Sequence, residues 1–418
     1  MTEKTLEFWF DFSCPYAYLA STQVEALAQR AKAKLIPKPV LLGGIFRAVG
    51  TNQNLFATLG AAKAAHNARD LKRHADLWDV PLEFPGNHPI RTVTALRAVL
   101  AAEAPYMPLI HAFYRAYWVS HKDISNPEIV TEILREAGYD ADAIMTRVAD
   151  EAIKDELRTR TEEAIDLGFF GVPGFRVEDE IYWGQDRMHF VENALGGSAP
   201  TVAKIAHRPS QEVYPVDFYF DYSSPFSYLA AMRVPDFLGP HARWKPMLLG
   251  AVFKSVGMAN VPLFEASPAK QRYLQLDCKR QAEEAEAAFT WPSNFPMNTV
   301  LPLRMTLIVQ KERPELAAQF IHETYVAFWG RDENISDPEV MIALAERMGL
   351  DGRYLVEGTQ NQEVKNALRH STEEAVSSGV FGAPTFVVRN RPDGASVYWG
   401  NDRLPMVTRS AQGDTRVL

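Results

Sequence analysis

The chain has 418 residues, 47% hydrophobic, 11% aromatic and 23% charged, with a formal net charge of -8. That balance belongs to a soluble globular chain too long for a single hydrophobic core, and it offers no basic run to recruit nucleic acid or an anionic membrane. No stretch of about 18 uncharged apolar residues is present for a membrane span, the first residues lack a signal-peptide pattern, and two cysteines at unrelated positions, Cys14 and Cys278, make no disulfide framework. A reducing, cytoplasmic setting is expected.

In chain order, Leu6-Glu-Phe-Trp-Phe-Asp-Phe12 alternates and is rich in aromatics, which predicts a strand. A helix follows at once: Pro15 suits a first turn, where a missing N–H costs nothing, and Ala20 to Ala33 supplies helix formers. Leu35 to Val40 reads as a second strand, placed after the helix as in a right-handed crossover. From about Leu55 to Leu167 the pattern is helical, with amphipathic stretches such as Arg91 to Ala104 and Glu128 to Ala137. Two short strands close the half, one after Val172-Pro173 and one at Glu180-Ile-Tyr-Trp183, and pair as a hairpin.

The whole arrangement then repeats. Asp11-Phe-Ser-Cys-Pro-Tyr-Ala-Tyr-Leu-Ala20 returns as Asp221-Tyr-Ser-Ser-Pro-Phe-Ser-Tyr-Leu-Ala230, with Ser224 where the first copy has Cys14. Val40-Leu-Leu-Gly-Gly-Ile-Phe-Arg47 answers Met247-Leu-Leu-Gly-Ala-Val-Phe-Lys254, and Asp70-Leu-Lys-Arg73 answers Asp277-Cys-Lys-Arg280. Phe84-Pro-Gly-Asn87 matches Phe295-Pro-Met-Asn298, and Tyr182-Trp-Gly-Gln-Asp-Arg187 matches Tyr398-Trp-Gly-Asn-Asp-Arg403. Proline recurs in Val172-Pro173 and Ala383-Pro384; the second hairpin spans Thr385 to Arg389 and Ser396 to Trp399. The collinear order predicts two like domains, 1–197 and 215–418, joined by a small, polar, proline-bearing linker at 198–214.

A strand, a Cys/Ser-Pro helix start, a helical insertion and a Val/Ala-Pro before a hairpin resemble the thioredoxin fold in its DsbA-like form. The expected fold class is therefore α/β: a tandem duplication of a thioredoxin-like domain, each with a helical insertion. The finer motifs resemble the kappa-class glutathione transferases and the 2-hydroxychromene-2-carboxylate isomerases, in both halves. The resemblance implies cis peptide bonds at Pro173 and Pro384, and glutathione as cofactor.

A helix N-terminus offers unpaired N–H groups and a positive dipole end, stabilising a thiolate there by up to about 2 kcal/mol. A hydroxyl at the same point adds a charge-assisted hydrogen bond. Ser224 is thus placed to hold the thiolate of bound glutathione, the role the resemblance gives to the serine before proline; Ser-Pro is also an ordinary cap followed by an N1 proline. Cysteine caps poorly, so Cys14 reads three ways: a substitute donor, a low-pKa nucleophile able to form a mixed disulfide with glutathione, or a tolerated small residue in a retired site. Cys14-Pro-Tyr-Ala17 lacks the second cysteine of a dithiol oxidoreductase. Cys278, where the first half has Leu71, reads as packing.

The resemblance further implies that the backbone of Val172 and Ala383 pairs with the cysteinyl amide of glutathione. Asp186 and Asp402 meet its γ-glutamyl ammonium, with Gln185 and Asn401 beside them, and Lys63 and Lys270 reach a carboxylate. Without the family, Asp-Arg after Gly is a helix-starting acid and the lysines read as solvated. Where the family has Asn after the Gly-ended loop, this chain has Thr51 and Met258, with Asn52 and Asn260 nearby. Lys254, Arg47, Asn87 and Asn298 are the polar candidates for an aromatic substrate, or else stabilise loops and turns. Histidines are scattered without metal spacing, and no phosphate loop or serine-nucleophile elbow appears.

Three functions fit: a glutathione-dependent cis-trans isomerase; a kappa-type transferase or thiol-disulfide oxidoreductase working through Cys14; and a non-catalytic binding protein. Single-domain relatives of this type commonly dimerise, so an internal pseudo-dimer of the halves is expected, with neither nucleic acid nor membrane as partner.

Overall fold

The computed structural model describes residues 4–52, 58–197, 213–259 and 261–418. Most of the expected linker, and Asn260, lie outside these residues.

Strand β1, Thr5–Phe10, is followed by α1, Pro15–Ala31, and β2, Lys34–Pro39. β1 and β2 pair in parallel, as the crossover reading expects. Both faces of β1 are covered, as a parallel strand requires. Phe8 stacks on Phe10 at 5.3 Å between ring centres and on Phe175 at 5.6 Å, while Trp9 meets Phe169 at 5.5 Å. Cys14 takes the N-cap position of α1, Pro15 starts it, and Lys32 ends it in the left-handed conformation.

Among the described residues the helical region is six helices, preceded by a short one that the sequence did not announce: α2, Leu42–Ala48. The six are α3, Ala61–Leu77; α4, Val93–Ala101; α5, Met107–Trp118; α6, Pro127–Glu136; α7, Ala141–Val148; and α8, Glu151–Asp166. Asn126 and Asp140 cap α6 and α7 through their side chains. Strands β3, Gly174–Val177, and β4, Glu180–Trp183, add an antiparallel hairpin, giving the order β2-β1-β3-β4, and α9, Met188–Ala194, closes the copy.

The second copy repeats this plan with β5, Val216–Phe220; α10, Pro225–Leu238; β6, Ala242–Pro246; and α11, Leu249–Ser255. Next come α12, Pro262–Glu265; α13, Pro268–Glu284; α14, Val300–Glu312; and α15, Pro314–Tyr325. The remainder is α16, Pro338–Arg347; α17, Gly352–Gly358; α18, Gln362–Ser377; β7, Thr385–Val388; β8, Ser396–Trp399; and α19, Leu404–Ala411. Its sheet order, β6-β5-β7-β8, matches the first.

The compact units are not simple halves of the chain. Residues 60–70, the start of α3, group with the unit built on β5–β8, and residues 267–270, the start of α13, group with the unit built on β1–β4. No helix among the described residues is long and apolar enough to cross a membrane.

Candidate functional site

In each unit the chain leaves the central strand through a loop tied down by one buried aspartate. Asp11 Oδ1 accepts from the Ser13 amide at 2.9 Å, the Ser13 hydroxyl at 3.0 Å and Thr92 Oγ1 at 2.7 Å, while Oδ2 accepts from the Leu42 amide at 2.8 Å. Asp221 makes the same four bonds with Ser223, Thr299 and Leu249. Burial pushes both carboxyls above their ordinary value, with the four donors pulling the other way. The backbone carbonyls of Asp11 and Asp221 accept from Cys14 N and Ser224 N, and from Tyr114 and Tyr325 hydroxyls. Each aspartate thus joins the helix start to the Leu-Leu-Gly segment and to α4 or α14. The sequence reading quoted both aspartates but assigned them nothing. Their recurrence beside apolar strand residues was the available signal.

Val172-Pro173 and Ala383-Pro384 are both cis, as the resemblance implies. Cys14 Sγ donates to the Val172 carbonyl at 3.1 Å; Ser224 Oγ donates to the Ala383 carbonyl at 3.0 Å. Ser224 also accepts from the Ser227 amide at 3.1 Å, a side-chain cap that Cys14 does not make. Of the three readings of Cys14, burial weighs against the low-pKa nucleophile. Burial pushes the thiol up to about 12, outweighing the nearby Ala17 and Tyr16 amides, and buried Asp11 adds to the rise. Cys278 is buried in α13, as the packing reading has it.

The Trp-Gly-x-Asp-Arg segments form tight 3-10 turns, Gln185–Arg187 and Asn401–Arg403, rather than regular helix starts. Gly184 and Gly400 have φ of 103° and 112°; a Cβ there would lie 2.6 Å and 2.5 Å from Asp186 Oδ1 and Asp402 Oδ1. Only glycine lets the carboxylate fold back over the turn. Arg187 and Arg403 each lie 3.1 Å from that carboxylate. Gln185 is buried with no partner for Nε2 among the described residues, whereas Asn401 Nδ2 donates to Gln281.

Lys63 sits with Trp399, its ammonium 5.2 Å from the ring centre, in the unit that contains Ser224. Lys270 lies 5.8 Å from Trp183 and 5.9 Å from Phe170, in the unit that contains Cys14. Each lysine therefore belongs to the unit of the opposite copy. Desolvation holds the Lys63 amine below its ordinary value.

Arg47 and Lys254 are exposed at the ends of α2 and α11, and Asn87 is exposed in a loop. Asn298 Oδ1 accepts from the Val300 amide at 2.9 Å, the turn-stabilising role. Thr51, Asn52 and Met258 follow α2 and α11 in loops. No cluster of metal-ligating side chains exists among the described residues.

A model of the DSBA-like thioredoxin domain matches residues 5–196 and again 215–412. A 2-hydroxychromene-2-carboxylate isomerase of Pseudomonas sp. (strain C18) is 30% identical over 200 residues, 46% of this chain and 91% of the relative. Human glutathione S-transferase kappa 1 is 26% identical over 204 residues, 46% of this chain and 88% of that protein. A solved 2-hydroxychromene-2-carboxylate isomerase structure aligns with a TM-score of 0.43 and 25% identity, covering 46% of this chain and 94% of that one.

Proposed function

The chain belongs to the DSBA-like thioredoxin domain family in both of its copies, and we propose on that premise that it is a glutathione-dependent cis-trans isomerase of conjugated aromatic enones, acting at Ser224. The observation that carries this is a hydroxyl, not a thiol, at the helix N-terminus facing a cis-proline.

Ser224 has one proton, donated to Ala383 O in the unliganded chain. Glutathione bound along the cis-proline segment presents its cysteinyl N–H to that carbonyl and replaces the hydroxyl as donor. The freed hydroxyl turns to the glutathione sulfur, and the α10 N-terminus adds its dipole. Both effects lower the pKa of the bound thiol, and at neutral pH a thiolate results.

The thiolate adds to the conjugated carbon, forming a C–S bond while the π electrons move onto the carbonyl oxygen as an enolate. The former double bond is now single and rotates. Collapse of the enolate re-forms the double bond and expels glutathione thiolate, so no oxidant or reductant is consumed. Asp402 and Asn401 supply groups for the γ-glutamyl end. In the first copy Asp186, Gln185 and the Val172 backbone offer the same set beside Cys14, whose burial, pushing the thiol pKa up, argues against a disulfide-exchanging nucleophile. A kappa-type transferase uses the same thiolate and is the second reading, supported by the kappa relatives.

The test is calorimetric titration of reduced glutathione into the chain, followed by absorbance assay of 2-hydroxychromene-2-carboxylate isomerisation with and without glutathione. Binding with glutathione-dependent isomerisation is expected. Binding with conjugation of an electrophile and no isomerisation would favour the transferase, and no binding at all would leave only a fold-retaining binding protein.

A further inference from the structure

Residues 63, 66 and 70 of α3 lie on one helix face, spaced three and four apart. Within the second compact unit this face grips both ends of the Trp399–Arg403 segment. His66 Nε2 accepts from the Trp399 backbone amide at 3.0 Å, so that ring is neutral with its proton on Nδ1. Asp70 receives Arg403 in a bidentate pair, Nε at 2.7 Å and Nη2 at 2.9 Å, with both side chains nearly excluded from solvent. Between these anchors lies the Gly400–Asp402 turn.

Lys63 differs from its two neighbours on that face. Its ammonium rests over the Trp399 ring, largely desolvated, and has no carboxylate partner among the described residues. A cation so placed is stabilised by the ring face but is left to be neutralised by something else. The ring it rests on, Trp399, belongs to the same compact unit as Ser224.

We propose that the ligand site headed by Ser224 is completed by the Lys63–His66–Asp70 face supplied from the first half of the chain. Lys63 binds a carboxylate of the thiol ligand, and His66 and Asp70 are positioning residues that hold the Trp399–Asp402 segment in its ligand-binding shape. This rests on the glutathione reading above. It goes beyond it in assigning the lysine of one copy to the chemistry of the other, so that neither half of the chain carries the Ser224 site alone.

The experiment uses the full chain with Lys63→Met, Asp70→Asn and, as control, Lys72→Met, which alters an exposed lysine of the same helix. Glutathione-dependent turnover is measured together with amide exchange of the 396–404 peptide by mass spectrometry. Lys63→Met is expected to raise KM for glutathione about tenfold, one well-formed charge contact, with kcat within about twofold and exchange unchanged. Asp70→Asn is expected to raise exchange of 396–404 at least about tenfold with or without glutathione, and Lys72→Met to change neither. Loss of affinity in Lys270→Met with none in Lys63→Met would overturn the assignment, as would unchanged 396–404 exchange in Asp70→Asn. A wild-type chain that binds no glutathione would sink the functional reading and the Lys63 contact together, while the exchange arm would still judge the positioning role.

Discussion

The Ser224 hydroxyl and the Ala383 carbonyl lie 159 residues apart in the chain and 3.0 Å apart in space, joined by the hydroxyl's single proton. Replacing Ser224 by alanine removes the proposed thiolate donor and the α10 cap together. The expected result is a fall of about 10²–10³ in kcat, by analogy with loss of one preorganised oxyanion donor, and a loss of about 1 kcal/mol in unfolding free energy from the missing cap. Steady-state kinetics and urea melts measure the two separately.

Cys14 sets up a pH dependence of stability. Its thiol is held up to about 12 in the fold against an ordinary value of 9.0, with burial the chief cause. Above pH 9 the unfolded chain releases this proton while the native chain keeps it. Stability from this group is therefore whole below pH 9 and is lost as pH rises toward 12, by about 1.4 kcal/mol per pH unit. The difference between wild type and Cys14→Ser in urea melts from pH 8 to 11 isolates that slope from the tyrosines. Iodoacetamide at pH 8 is expected to leave Cys14 of the native, unliganded chain unmodified.

Lys63 carries a cost in the absence of ligand. Desolvation lowers its pKa in the fold, so between that lowered value and the ordinary 10.5 the unfolded chain holds a proton the native chain has shed, and stability rises with pH there. Lys63→Met is expected to remove this slope and to raise the unfolding free energy of the unliganded chain by about 0.5–2 kcal/mol, the common size of a gain that weakens function. Thermal melts with and without glutathione should cross over.

Asp221 is expected to be far less replaceable. Asp221→Ala strands four donors, from Ser223, Leu249 and Thr299, at about 1–3 kcal/mol for each one left without water. Chemical unfolding of Asp221→Ala set against Thr299→Val, which removes one donor, checks whether the cost scales with the number stranded.

The sequence made the strands, the helix starts and both cis-prolines legible because each rests on local chemistry: aromatic alternation at Leu6 to Phe12, Pro15 and Pro225 at N1, and the Val172-Pro173 and Ala383-Pro384 pairs. It made the Asp11 and Asp221 hubs visible as repeated letters but not as hubs, since the donors Leu42, Thr92, Leu249 and Thr299 lie far along the chain. The short α2 and α11 were missed for want of length. The placement of Lys63 was hidden for a deeper reason: α3 and α13 carry matching faces, so nothing local to either helix tells which Trp-Gly-x-Asp-Arg segment it meets. The raised thiol of Cys14 was hidden too, because a helix N-terminus pulls a pKa down while burial, invisible in the sequence, pushes it further up.

The exchanged start of α3 changes how this chain's history is to be read. When each half is compared by itself with single-domain relatives, Lys63, His66 and Asp70 are counted with Cys14, although they touch Trp399 and Arg403. Selection acting on the proposed Ser224 site would then be recorded as constraint in the other half. A duplicated protein wired in this way cannot let one copy decay freely, because each copy supplies packing that holds a turn of its sibling.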